Sequence, residues 1–199
     1  MSVIGKATAT MVVGRVLAMG IGFAAVPLLT RLYSPAQFGL AELVTSVSSW
    51  VGAFACLGYA VAIPLSTDRS ETRTLIVLCL GLTAALIVPV VLFTLAGAAI
   101  LSRWTGEPQL QHLLWFVPAM FLAISLTHIG QYTCSKEGRF GALSASYFAQ
   151  DGLKAPIQIV LALCIGAGAA QLLWGTFLGV LCGAIVAATS VVGILRTAG

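Results

Sequence analysis

Apolar residues dominate the chain in long blocks, and the polar residues fall mostly between them. The blocks run from about Ala7 to Thr30, Leu40 to Pro64, Leu75 to Leu101, Leu113 to Cys134, Ala142 to Ile165 and Gln171 to Leu195. Each is about twenty residues or longer, enough to cross a hydrocarbon layer of roughly 30 Å as a helix. The pattern therefore predicts an all-α polytopic membrane protein, a single six-helix transmembrane domain over residues 1–199. Strict alternation is absent, and Gly and Ala are spread through the blocks, which favours closely packed helices over a barrel of strands.

The breaks between blocks carry local signals. Ser34, Pro35 and Gln37 in the stretch RLYSPAQFG form a capping box with proline at the first helical position, so a new helix starts there. STDRSETR, Ser66 to Arg73, reads as a charged loop, and Pro89 sits mid-block as a kink. Trp104 is placed like an interfacial anchor. The short loop Ser135 to Gly141 and the turn Gly166 to Ala170 frame the fifth block. Gly175, Gly179 and Gly183 in the sixth block are spaced four apart, a small-residue ridge for close helix packing.

Composition agrees with this picture: 59% of residues are hydrophobic and 8% charged, with a mean hydropathy of +1.04, far beyond what a soluble domain hides. The net charge of +4 is too small to point to nucleic acid, and its distribution is more informative. With the N-terminus inside, Lys6, Arg69, Arg73, Lys136, Arg139 and Arg196 lie on the inner side and Arg31 and Arg103 on the outer. This predicts both termini in the cytoplasm. The first block, although preceded by Lys6, is interrupted by Arg15 and long enough to stay as an uncleaved anchor. Cys56, Cys79, Cys134, Cys164 and Cys182 lie one to a block without metal-ligand spacing, and read as small hydrophobes.

Candidate chemistry is concentrated in the fifth block, SASYFAQDGLKAPIQ. As a continuous helix it would carry Ser144, Tyr147, Asp151, Lys154 and Gln158 on one face. A charge at mid-bilayer costs roughly 2.5–3.5 kcal/mol on insertion scales, so that face should look at protein or water. Asp151 either neutralises Lys154 three residues away or exchanges a proton. Two readings of Arg15 stand: snorkelling to the near interface, or facing a central aqueous cavity that meets an anionic substrate. Ser125, His128 and Tyr132 share a face of the fourth block with Gln131 beside it, either as interhelical hydrogen bonds or as a cavity lining with His128 titrating. Glu42, with Thr45 and Ser49, reads as solvated near an interface. No metal-binding His pair, serine nucleophile with its base or phosphate-binding Gly loop is present, so neither an enzyme, a metal nor a cofactor is expected.

RLYSPAQFG, with Arg31, Leu32, Tyr33, Pro35, Phe38 and Gly39 in place, is similar to the turn after the first span of the bacterial polysaccharide flippases, the O-antigen translocase branch of the multidrug, oligosaccharidyl-lipid and polysaccharide exporter superfamily. GYAVAI at Gly58 to Ile63, GRF at Gly138 to Phe140 and the glycine-spaced sixth block extend the resemblance over nearly the whole chain. Where the family often has a charged triplet, this chain has Gly58, Tyr59 and Ala60, so no polar role is carried over there. The resemblance covers one lobe of a two-lobed exporter, which implies a homodimer or a second lobe. It further implies translocation of an undecaprenyl-diphosphate-linked oligosaccharide across the inner membrane, driven by a proton or sodium gradient, through a cationic cavity to which Arg15 and Lys154 would contribute. Export of a drug or other amphiphile and a non-transporting scaffold for polysaccharide assembly enzymes are the alternatives.

Overall fold

A chain in hydrocarbon must satisfy every backbone N–H and C=O internally, and this sequence does so with helices. The computed structural model describes residues 3–196. Its elements are α1 (Val3–Leu32), α2 (Pro35–Ala53), a 3-10 segment (Ala55–Leu65), α3 (Arg69–Thr105), a short α4 (Gln109–Leu113), α5 (Phe116–Lys136), α6 (Phe140–Tyr147), a π turn (Phe148–Gly152), α7 (Lys154–Ile165) and α8 (Ala169–Arg196). Among the described residues there is no strand. Five helical stretches are long and apolar enough to cross a membrane, and a sixth is added if α2 and the 3-10 segment count as one bent span. The outermost residues of the expected domain, and the side chains of Lys6 and Arg196 used in the orientation argument, lie outside the described set.

The interior is organised on α5. Val117, Met120, Phe121 and Ile129 are all buried on this helix, which packs against α2, the 3-10 segment, α3 and, most extensively, α8. Buried hydroxyls mostly satisfy themselves: Ser48, Thr83, Thr94, Ser125, Thr127 and Thr133 each donate to the carbonyl four residues earlier. Among the described residues no buried side-chain nitrogen or oxygen lacks a partner, as a low-dielectric interior demands. By contrast α1 is peripheral. Its contacts are made with α6, the π turn and α7, while Val12, Val16, Leu17 and Phe23 are exposed.

The capping box forms as read: Ser34 N–H donates to Gln37 Oε1 at 2.9 Å and Gln37 N–H to Ser34 Oγ at 3.3 Å. Gln37 also donates from Nε2 to the Ala167 carbonyl at 3.1 Å, tying the start of α2 to the turn between α7 and α8. At the other end of the bundle Met11, Phe140, Leu143 and Ala187 share one apolar cluster, and Arg69, Lys136 and Arg139 line one cavity. The start of α1, the end of α8 and three of the basic residues therefore share one side. Arg69 to Arg73, expected in a loop, are the first turns of α3. There the Glu71 carboxylate accepts from Thr67 N–H at 2.9 Å.

Two expected helices are broken. The second span does not continue from Leu40 to Pro64. It bends by 56° after Ala53, through three consecutive left-handed residues, Cys56 (φ 57), Leu57 (φ 47) and Gly58 (φ 78). The bend is held by packing of Cys56, Ala60 and Ile63 against Ile76, Cys79 and Ile129. The fifth span is interrupted by the π turn and restarts at Lys154. In α8 the glycine ridge faces this interruption. A Cβ on Gly179 would lie 2.7 Å from the Gln150 carbonyl oxygen, and one on Gly183 would lie 3.0 Å from that of Ser146. The ridge lets the irregular segment lie directly against α8.

Leu57 is 53% exposed, so its left-handed backbone is not offset by burial. Leu57→Gly should stabilise the protein by about 1 kcal/mol, and Gly58→Ala, whose Cβ would meet nothing within 4 Å, should cost about the same. Both are measurable by SDS titration in micelles. Gly179→Ala should cost about 2 kcal/mol in the same titration, because the Gln150 backbone cannot yield as a flexible side chain can.

Candidate functional site

Pro156 has no N–H to give to Gly152, and its ring crowds the carbonyl one turn back, which loosens the helix of the fifth span at this point. The chain widens into the π turn Phe148–Gly152 and passes through Leu153 before α7 begins. A π turn accommodates an extra residue and changes the direction of the side chains that follow. The single face expected for Ser144, Tyr147, Asp151, Lys154 and Gln158 is therefore divided. Ser144 is buried against Gly14 of α1. Gln158 is also buried, donating to Leu172 O at 2.9 Å and to Thr176 Oγ1 at 3.4 Å, while its own carbonyl accepts from the Tyr33 hydroxyl at 2.8 Å.

Tyr147, Asp151 and Lys154 remain accessible, in two adjoining cavities. The first, of about 380 Å³, is lined by Arg15, His128, Gln131, Tyr132, Ser135, Tyr147, Gln150 and Asp151, with Met11 and Leu143. The Arg15 guanidinium carbon lies 4.6 Å above the centre of the Tyr147 ring, a cation–π contact that leaves the guanidinium edge to meet an anion. The ring of His128 meets Tyr132 edge-on at 6.5 Å. Behind them Gln131 donates from Nε2 to Ser146 Oγ at 3.3 Å and to Gln150 Oε1 at 3.2 Å, and Ser146 donates to Gly183 O at 2.8 Å. The wall is thus built of amides and hydroxyls whose positions are set by α8.

The second cavity, of about 230 Å³, is lined by Glu42, Thr45, Asp151, Lys154, Gln158 and Thr176 among others. Glu42, read from sequence as merely solvated, is exposed on its wall. Arg15 likewise lines a cavity. Across the two cavities Arg15 and Lys154 are matched in number by Asp151 and Glu42. Asp151 does not pair with Lys154 as a simple i,i+3 neighbour: among the described residues no ion pair within 4.0 Å joins it to Lys154 or Arg15.

Six residues named from sequence, Arg15, His128, Tyr147, Asp151, Lys154 and Gln158, all line one or other cavity. Gln158 lies closest to a structural role. Gln150, Ser146 and Thr176 went unremarked as site residues. Gln150 carries the one signal that was available, a second polar side chain directly beside Asp151 in an apolar stretch.

A separate cavity, apolar and about 730 Å³, opens between α2 and α3 over Phe121, with Trp50, Phe54, Pro89 and Phe93 on its walls. It contains no ionisable side chain.

Comparison with known proteins gives one finding. No curated protein and no solved structure matches the chain. A family model described as polysaccharide biosynthesis protein matches residues 28–198, a range that takes in the Arg31–Gly39 motif, Glu42, and the whole of the fourth, fifth and sixth spans. With its membrane-embedded helices and this match over most of its length, the chain belongs to the polysaccharide biosynthesis protein family.

Proposed function

We propose that the protein flips a lipid-linked oligosaccharide across the bacterial inner membrane during cell-surface polysaccharide synthesis, with both termini in the cytoplasm and no catalytic step of its own. The observation that carries this reading is the accessible face containing Arg15, Tyr147, Asp151 and Lys154 within the apolar spans. Charges there are too costly to leave facing lipid. Amides, hydroxyls and aromatic rings in the first cavity suit a hydroxylated sugar, and the Arg15 edge suits a phosphate or carboxylate. The same cost requires a second wall over the open face, and a second copy of the chain or a second lobe supplies it. Alternating access then consists of that wall and this one rocking about the site.

Export of a simpler amphiphile is the second reading, favoured by the apolar groove between α2 and α3. Proteoliposomes separate the two. A short-chain prenyl-diphosphate disaccharide should move to the outer leaflet in a protein-dependent manner, and Arg15→Ala and Lys154→Ala should each slow it about tenfold or more. Movement of an uncharged fluorescent amphiphile at the same rate in all three proteins, with no movement of the disaccharide carrier, would instead support the second reading.

A further inference from the structure

Asp151 is, among the described residues, the one side chain that lines both cavities beside the fifth span. It stands on the π turn, with Arg15 in the first cavity and Lys154 in the second. Neither cation closes onto its carboxylate within 4.0 Å. Arg15 is held elsewhere, over the face of Tyr147 at 4.6 Å, and Lys154 shares its cavity with Glu42. Asp151 is exposed, so it is not a packing residue.

We propose that Asp151 is an internal competitor anion, which balances the charge of Arg15 and Lys154 across the two cavities without pairing to either, until an anionic group of the ligand enters beside them. The inference rests on the reading of this face as an anion-accepting transport site. Its physical content is a cost built into binding. An arriving phosphate or carboxylate gains the two cations and meets the repulsion of Asp151 in the same confined space. That repulsion weakens the bound state and speeds release, which a transporter needs and a storage site does not. The ligand anion must also beat the resident carboxylate, so a neutral ligand has no means of displacing it. Asp151 is then a specificity-determining residue, not a contact for sugar hydroxyls.

The test is titration of the full chain in nanodiscs with inorganic diphosphate and, separately, with glucuronate. Asp151→Asn should tighten binding of at least one anion by about tenfold relative to the wild type, Asp151→Glu should leave it near the wild-type value, and Arg15→Ala should weaken it. The anion with the larger gain identifies the class that the site takes. In the disaccharide-carrier assay Asp151→Asn should lower both KM and kcat, a combination that a merely damaged protein does not give. Asp151→Ser repeats the gain without an amide, should the asparagine variant fold poorly. If both neutral variants bind the anions no more tightly than the wild type while Arg15→Ala still loses binding, the competitor role is overturned and the anion site stands. If no variant binds either anion and Arg15→Ala flips the carrier at the wild-type rate, both are overturned.

Discussion

The structure depends on the cost of leaving charge and unpaired backbone groups in hydrocarbon. Insertion scales put each mid-bilayer charge at roughly 2.5–3.5 kcal/mol, yet Arg15, Glu42, Asp151 and Lys154 all sit within apolar blocks. They are tolerated by being gathered on one face, around the two cavities beside the fifth span, in numbers that cancel. The buried hydroxyls obey the same constraint by bonding back to their own helices, and the amides Gln131 and Gln158 by bonding across to the fifth span and to α8.

Where the backbone leaves the helix, a neighbour packs against one side of it. The π turn of the fifth span is backed by α8, whose Gly179 and Gly183 bring the two main chains close enough to exclude any side chain between them. At the left-handed turn of the second span Cys56 packs against α3 and α5, while Leu57 and Gly58 stay exposed. Irregular backbone in membranes is confined to places where protein or an aqueous cavity supplies its partners, and here the more polar of the two breaks adjoins two charge-bearing cavities. The break also creates the site, because it directs Asp151 between Arg15 on α1 and Lys154 on α7 instead of leaving it stacked on Lys154 alone.

Much of the fold was legible because hydrocarbon leaves few choices. Block length and composition specified helices that cross a membrane, Ser34, Pro35 and Gln37 specified where α2 begins, and the spacing of Gly175, Gly179 and Gly183 specified a contact ridge. Neither broken span was legible in the same way. An uninterrupted apolar run has no polar face whose period could reveal a bend, so Cys56 and Leu57 read like any other apolar residues of a spanning helix. Pro156 was visible, but proline in a membrane helix is compatible with a kink, a π turn or neither, and the choice lies with the helices packed around it.

By itself the sequence determined the class of protein, the helical segments, the family motif in RLYSPAQFG, and the few polar residues that membrane insertion forces to share a face. These follow from local composition and from costs that hold in any apolar surrounding. The tertiary structure decided which of those residues meet: that Gln158 is bound to α8 while Asp151 stays open, that Arg15 stacks on Tyr147, and that the exposed Glu42 lines one cavity with Lys154. Such pairings join α1, α2 and α5 to a span more than a hundred residues away in the case of Arg15 and Asp151, and they are set by helix packing and a change of register at one π turn. Local spacing carries no information about either.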